Sequence, residues 1–504
     1  MLPPEARTSA FHDSDSRDTA LGDLRNWVQA ELMPWRFFPP ENQDFDKIVR
    51  QSVDEDPSVF RFTLHDGIVA FHEKPPEQYL AQLPSVDVYN NLRTRGFQYQ
   101  VFLQAVVAAF GIVGNTELAI DLDDLADRTS AGPVFCFQKV SGARSILIPD
   151  VDMLEDFYLS AASDDGFAYD EKIDAAIFVG STTGQLYITR TIVEQLAHQR
   201  LRSAVYFKDQ PDVRFELPGI VQCDGPETEA MIRALGLGSV ATSWAEQFSY
   251  RYLMSIDGNG ATCSRVAIAL KSNSVLMRYH SINDLYYFRG LQAWKHYVPL
   301  NRDADVIDNI ALLRRSPALS REIAHASREF YRTRLSRVAV MRYMAELLNA
   351  YIARFGKPIA VAADDPIFAI DSFGHISGKG DVWSQPNGWL LAGDGGWIEG
   401  IGLIPGPEIA PSDLSYWAID VDGTELDLVQ PWTLAGSRGQ SRALRGFRID
   451  LHGDAAARFE LRYEARFLDG TRSGPLPGGT VCVAASGSPL VALRLIVHRG
   501  GAVA

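Results

Sequence analysis

The stretch best equipped for chemistry is YLMSIDGNGATCSR at 252–265, where Asp257, Gly258 and Gly260 are followed by Ser264 and Arg265. Apolar residues precede it, and a second apolar segment, 266–270, leads on to SVLMRY at 274–279. This reads as strand, glycine turn, short helix and strand. Such a junction makes an anion site: N–H groups are exposed at the helix start, glycine lets a ligand come close to the backbone, and Arg265 lies about one turn in. A diphosphate suits it. The same residues also fit an ordinary strand-to-helix turn, because two glycines fall short of the full dinucleotide fingerprint.

Other residues offer complementary chemistry. Asp121, Asp123 and Asp124, with Asp127 beyond, follow the strand-like ELAIDL at 117–122. Carboxylates there could hold a divalent metal bridging a nucleotide diphosphate, one could act as a general base, or the group could be a solvated turn capping the next helix. GSTTG at 180–184 follows a buried-strand run and offers backbone N–H groups and hydroxyls without the lysine of a Walker loop, so it could hold phosphate or ribose. Lys139, Ser141 and Arg144 form a further polar set after PVFCF at 133–137. The ten histidines are dispersed, and His296, in an apolar strand, reads as a core residue. Neither HExxH nor GxSxG occurs, which removes the zincin and serine-hydrolase classes.

The elements that must position these residues alternate between strand and helix. Residues 19–32 have helical spacing, 60–71 read as a hairpin around Asp66 and Gly67, and a helix over 99–110 leads to strands at 117–122, 133–137 and 145–148. A second series begins near Asp174: a strand at 175–179, a helix at 187–201, strands at 204–207 and 219–222, and a helix at 226–235. The central stretch follows, then a strand at 296–300 and a helical region from 304 to about 355. Two such series predict two Rossmann-like lobes with a cleft between them. The expected division is 1–40 as an N-terminal extension and helix, 41–165 as the first lobe, 166–360 as the second lobe with its closing helices, and 365–504 as a separate unit.

That last unit contains an internal repeat. IEGIGL at 398–403, LRGFRI at 444–449 and LVALRL at 490–495 are each displaced by 46 residues. Three short-strand units at one period predict an all-β module with pseudo-threefold symmetry, of β-prism or β-trefoil type. Trp383, Trp389, Trp397, Trp417 and Trp432 are candidates for stacking on sugars, and equally for the core of such a module.

Composition sets outer bounds. With 504 residues, 46% hydrophobic and 22% charged, the chain is long enough for two to four folded domains. A formal net charge of −15 argues against a nucleic-acid binder held by phosphate contacts. Cys136, Cys223, Cys263 and Cys482 lack CxxC spacing, which suits a reducing compartment. No secretory signal is expected, residues 1–18 are expected to be mobile, and the longest apolar run, 101–113, contains Gln104 and is too short to span a bilayer.

Taken in order, PVFCFQKVS at 133–141, FVGSTTG at 178–184, the 252–265 stretch, SVLM at 274–277 and AWKHYVPL at 293–300 resemble the Rumi-type protein O-glucosyltransferases and their capsule and lipopolysaccharide relatives, glycosyltransferase family 90. The resemblance covers roughly 90–345. It implies a GT-B-like pair of lobes and inverting transfer from a nucleotide sugar, usually a UDP-hexose or UDP-pentose, to a hydroxyl of a glycan or glycolipid acceptor. By motif position Asp124 matches the general base, with Asp123 one residue away. Lys139, Ser141, Ser181, Asp257, Gly258, Gly260, Ser264 and Arg265 match donor-side positions, and Arg190 matches more loosely. Such enzymes require no cofactor, although Asp121 and Asp123 keep a divalent metal open. The chain departs from the animal members at Val179 and at Asp257-Gly258-Asn259-Gly260. Together with the absence of a signal, this points to a bacterial cytoplasmic enzyme of lipopolysaccharide or capsule synthesis, with peripheral contact at the inner membrane open to it. A glycan-binding, lectin-like protein with a degenerate transferase domain is the alternative.

Overall fold

The computed structural model of the chain describes residues 16–37, 45–75, 82–83, 85–124, 132–150, 153, 164–184, 186–238, 240–261, 263–358 and 366–500. Most of the expected mobile stretch 1–18 lies outside these residues, as does Asp127.

The first sheet is mixed. Strands β1 (Val59–His65) and β2 (Ile68–His72) form the expected hairpin, whose turn residues Asp66 and Gly67 both have positive φ, 50° and 79°, as a twisted two-residue turn requires. The helix Val86–Phe110 begins where Ser85 Oγ accepts from Val88 N–H and ends at Gly111 in the left-handed region. It leads to β3 (Gly114–Asp121), antiparallel to β1, and then to β4 (Val134–Cys136), β5 (Lys139–Val140) and β6 (Ile146–Leu147). The order is β2-β1-β3-β4-β6, with β4 and β6 parallel to β3.

The second sheet is wholly parallel. It comprises β7 (Ile173–Ser181), β8 (Val213–Gly219), β9 (Tyr250–Ser255), β10 (Val275–Tyr279) and β12 (Val298–Leu300), in the order β12-β10-β9-β7-β8. Val275, Leu276 and Met277 are all fully buried, as a parallel strand covered on both faces demands. Two expectations are corrected here. The helix expected over 187–201 is two helices, Arg190–Glu194 and Gln199–Phe207, separated where Leu196 takes a positive φ of 49°. Residues 204–207 are the last turn of the second helix rather than a strand, because Arg200, Ala204 and Phe207 share one buried helical face despite their strand-forming neighbours. The strand of this region is β8.

Three ties hold the two sheets together. Strand β11 (Asn283–Asp284) leaves the second series to pair with β5 of the first. Glu31, buried near the end of helix Ser16–Leu32, accepts from Lys139 Nζ at 2.6 Å and from Leu147 N–H at 3.0 Å, while its other oxygen accepts from Arg289. The helical region after β12 forms three helices, Ala304–Arg315, Pro317–Arg334 and Arg337–Phe355. The last of them runs through the main core, and β13 (Lys357–Pro358) then adds to β3.

From residue 366 the chain forms β14 (Ile370–Ile376), β15 (Gly380–Trp383), β16 (Trp389–Leu391), β17 (Ile398–Pro405), β18 (Leu414–Asp420), β19 (Ala435–Gly436), β20 (Leu444–Leu451), β21 (Phe459–Phe467), β22 (Arg472–Pro477), β23 (Cys482–Val483) and β24 (Leu490–Arg499), with one short helix, Gly453–Arg458. These make three antiparallel sheets, β15-β14-β17-β19, β18-β20-β23 and β16-β24-β21-β22. Each 46-residue repeat segment opens a strand paired on both sides, and the three lie in different sheets around one core. Phe373 and Ile404 reach out of this unit into the main core, so it docks against the helices of the second lobe. All five candidate tryptophans are partly buried, and Trp383, Trp389 and Trp432 each lie under a guanidinium.

Two consequences for stability follow. Tyr416, fully buried, accepts from Leu403 N–H at 3.0 Å and donates to the Thr433 carbonyl. Tyr416→Phe leaves a buried N–H without its acceptor and should lower the free energy of unfolding by about 1–3 kcal/mol in denaturant titrations. His296 is buried against Phe330, its Nδ1 accepts from Gln292 N–H at 3.1 Å, and burial lowers its pKa from 6.5 to about 4. The fold therefore holds the neutral ring. Its contribution is intact above about pH 6.5 and is lost as pH falls toward 4, by up to about 3 kcal/mol. The stability–pH curve of His296→Gln should lack that part of the acid slope.

Candidate active site

A cleft of about 430 Å³ opens where the carboxyl ends of β3, β4 and β6 face those of β7 and β9. In open α/β folds ligands collect at such strand ends, because the loops there converge and helix N-termini point at them.

On the first-lobe wall stands Asp124, three residues past β3. Arg95, from helix Val86–Phe110, donates Nη2 to Asp124 Oδ1 at 2.8 Å and Nη1 to the Leu122 carbonyl at 2.7 Å, fixing both the carboxylate and its loop. The Asp124 side chain remains 40% exposed, so a hydroxyl of a ligand in the cleft can reach it. Asp123 accepts from Asp124 N–H at 2.7 Å and does not line the cleft. Asp121 is buried behind them, accepting from Ser58 Oγ and Asp123 N–H, and burial pushes its carboxyl up to about 7. Among the described residues no group of three or more His, Cys, Asp or Glu side chains is arranged to hold a metal ion.

The second-lobe wall is cationic. Helix Cys263–Lys271 points its N-terminus at the cleft, with Ser264 and Arg265 in the first turn. Arg265 lies 4.6 Å from the centre of the Phe178 ring and 5.1 Å from that of Trp244, and donates to the Val179 carbonyl and to Gln247. Arg200 reaches the same phenyl ring at 5.3 Å and donates to Ser181 O, Thr183 Oγ1, Ile256 O and Asp257 O. Neither guanidinium pairs with a carboxylate among the described residues. Burial, followed by the charge of Arg200, pushes Arg265 down to about 9, and burial pushes Arg200 down to about 10. Two cations are thus packed together with no direct ion pair among the described residues, an arrangement that suits a diphosphate.

One side chain crosses the cleft. Gln138, just past β4, donates to the Asp124 carbonyl and accepts from Ala261 N–H at 2.9 Å. Gly260 is needed for this: a Cβ there would lie 2.0 Å from the Gln138 amide oxygen. Likewise a Cβ on Gly258 would lie 2.9 Å from both Arg200 Nη2 and Thr183 Oγ1. The two glycines admit neighbouring side chains; neither is at positive φ.

Of the residues expected from sequence, the cleft brings together Asp124, Ser181, Gly258, Gly260, Ser264 and Arg265. Four others are elsewhere. Lys139 is buried against Glu31 and the Ser145 carbonyl, so its charge is already spent. Ser141 donates to Asp284 on the β5–β11 ribbon, and Arg190 is exposed and pairs with Glu194. Asp257 accepts from Ser281 and Asn283 and supports Arg200 through its carbonyl, lining a neighbouring pocket instead. Sequence reasoning missed Arg200, Arg95, Gln138 and Trp244. For Arg200 a signal existed: it sits on the apolar stripe with Ala204 and Phe207, where a charge needs a reason to be.

Residues 169–361 match the family model described as glycosyl transferase family 90. Protein O-glucosyltransferase 2 from Danio rerio is 30% identical over 110 residues, covering 22% of this chain and 22% of that protein. Over residues 169–361 this chain resembles glycosyltransferase family 90. A second relative, Uncharacterized protein 179R of Invertebrate iridescent virus 6, is 24% identical over 225 residues, 40% of this chain and 19% of that one. The chain thus spans about a fifth of the length of these curated relatives. The C-terminal domain of a glycosyl transferase group 1 family protein (LpcC) from Francisella tularensis aligns over 32% of this chain and 86% of that one, at 14% identity and a TM-score of 0.21. The family 90 region takes in the whole parallel sheet, Arg200, Trp244 and Arg265, whereas Asp124 and Gln138 precede it.

Inorganic diphosphate should raise the melting temperature of the wild type by several degrees, because a bound anion relieves the repulsion between the two guanidiniums. In Arg265→Met the shift should vanish, while the ligand-free variant melts no lower than the wild type. A retained shift places the anion elsewhere.

Proposed function

We propose that this protein is an inverting glycosyltransferase that moves a sugar from a nucleotide sugar to a hydroxyl of a glycan acceptor. One observation carries the reading: an accessible carboxylate, Asp124, stands across one cleft from two guanidiniums that form no ion pair among the described residues and from a helix N-terminus. The first is chemistry for an acceptor, the second for a departing diphosphate.

In this reading the acceptor hydroxyl attacks the anomeric carbon from the Asp124 side. Its proton passes to the Asp124 carboxylate as the new C–O bond forms. The old bond to the diphosphate breaks, and its electron pair leaves on the diphosphate oxygen, where Arg265, Arg200 and the N-terminus of helix Cys263–Lys271 meet the charge. Attack and departure on opposite faces invert the anomeric centre. Arg95 holds the base, and Gln138 fixes its loop against the donor loop. Because side chains and backbone dipoles meet the leaving charge, the reaction takes no divalent metal.

The finer assignments belong to the same proposal. The two lobes form a GT-B-like pair, with 41–165 on the acceptor side and 166–360 on the donor side, the donor is a UDP-hexose or UDP-pentose, and the product belongs to a lipopolysaccharide or capsular glycan. The unit at 365–504 is a three-repeat module of β-prism type that orients the acceptor. Support for these comes from the family 90 match, the parallel donor sheet and the placing of the repeats in three sheets. No helix of the described residues is long and apolar enough to cross a membrane.

Release of nucleoside diphosphate from a panel of UDP-, GDP- and ADP-sugars, with and without EDTA, tests the reading. One donor should be consumed regardless of EDTA, and Asp124→Asn should slow turnover by ~10²–10⁴-fold while donor binding, followed by melting temperature, persists. A wild type that neither consumes nor binds any donor overturns the proposal in favour of a non-catalytic glycan-binding protein.

A further inference from the structure

A second pocket, of about 360 Å³, opens beyond the β5–β11 ribbon, where β10 and β12 end. Gln138 precedes β5 on the cleft side and Ser141 follows it at the pocket, so three residues of extended chain, about 10 Å, separate the two sites. The volume falls within the ~300–1,000 Å³ of small-molecule sites. None of the residues given a part in sugar transfer lines it.

Its polar groups have nothing to bond. Arg278, His280, Tyr297 and Asn301 line the pocket, and none of these four side chains hydrogen-bonds to a described residue. A ligand can reach them: His280 and Asn301 are exposed, Arg278 and Tyr297 are half-buried, and none of their polar atoms is closed off from solvent.

Arg278 decides the chemistry. Its guanidinium lies 3.8 Å from the centre of the Phe288 ring and 5.7 Å from that of Tyr297, which steadies the group and leaves the N–H groups at its edge to a ligand. In a chain with 63 acidic and 48 basic residues, a carboxylate partner is easily found. Arg289, in the same pocket, pairs with Glu31, whereas Arg278 forms no ion pair with a described residue. Its charge reaches Asp257, but that carboxylate is taken by Ser281 and Asn283.

We propose that this pocket binds a small organic carboxylate, held edge-on by Arg278. A carboxylate matches two parallel N–H groups of one guanidinium, and the Tyr297 hydroxyl, the Asn301 amide and the His280 ring can bond the rest of the molecule. Asp284, held by Ser141 Oγ at 2.8 Å, lines the same pocket and opposes a second negative charge, so a carboxylate monoanion is favoured over a phosphate dianion. Leu285, Leu300 and the Tyr297 ring add apolar surface, which calls for a carbon skeleton rather than a bare ion. The inference stands on the pocket alone and does not depend on the transferase reading.

Isothermal titration calorimetry on the full chain, with acetate, benzoate, glucuronate and inorganic phosphate, tests it. Benzoate or glucuronate should bind more tightly than acetate. Arg278→Met should weaken that binding about 10–100-fold, and Arg278→Lys, which keeps the charge and loses the parallel N–H pair, should fall between. Should Arg278→Met unfold, Arg278→Lys carries the test. A preference for benzoate assigns the carboxylate to a free organic acid and a preference for glucuronate to the acid group of a sugar; either supports the site. No binding by any carboxylate overturns the proposal, as does binding that both substitutions leave intact. Binding by acetate alone, or by phosphate more tightly than by every carboxylate, overturns it too.

Discussion

Two buried guanidinium groups, on Arg200 and Arg265, share the ring of Phe178 and form no ion pair with a carboxylate among the described residues. Their mutual repulsion has to be held in place by everything around it. Carbonyls of Ser181, Val179, Ile256 and Asp257 take their N–H groups, so the arginines are hydrogen-bonded but not neutralised. That distinction matters electrostatically. A carbonyl dipole fixes direction without cancelling charge, so the field in the cleft stays available to an anion. The glycines of the 257–260 loop, the short helix bearing Trp244 and the parallel strands β7 and β9 all make sense as the scaffold for this one unbalanced arrangement.

The opposite wall is organised around balance. Asp124 has its arginine, Arg95, and the pair is open to solvent, whereas Glu31, Lys139 and Arg289 satisfy one another in the interior. The protein therefore separates charges that hold the fold from charges that face a ligand. Glu31 also ties both lobes to the N-terminal helix, and Gln138 ties the Asp124 loop to the loop at 257–261. Lobes joined at several points present a cleft already formed, so less ordering remains to be done when a substrate arrives.

Much of this was legible in the sequence where local chemistry decides structure. The Asp66-Gly67 hairpin, the strand-turn-helix at 252–271 and the three-repeat period at 398, 444 and 490 each follow from residue type or spacing alone. What failed did so through tertiary context. Ala204 to Phe207 look like a strand because Val205, Tyr206 and Phe207 favour one, but packing of Ala204 and Phe207 against β8 selects the helix. Lys139 and Ser141 follow a strand toward the cleft in sequence and then turn into the β5–β11 ribbon, a pairing with a segment more than 140 residues away that no local pattern announces. Gln138, one residue before Lys139, is the side chain that reaches the site. Neutral amides carry little signal in a search for charge.

The repeat module closes on itself through its last strand. β24 is one of the two inner strands of a sheet with an edge, β16, that comes from the beginning of the module, and Ile367 N–H bonds to the Val497 carbonyl at 2.7 Å. During synthesis, then, the first segments of this unit emerge long before the strand that completes them. Phe373 and Ile404, which pack against the closing helices, lie in a sheet completed by β19, but the module core behind that sheet stays open until residues 490–499 are made. The two lobes can fold while the chain is still growing; the core of the module closes only once β24 has been made, and loss of that strand opens the whole unit.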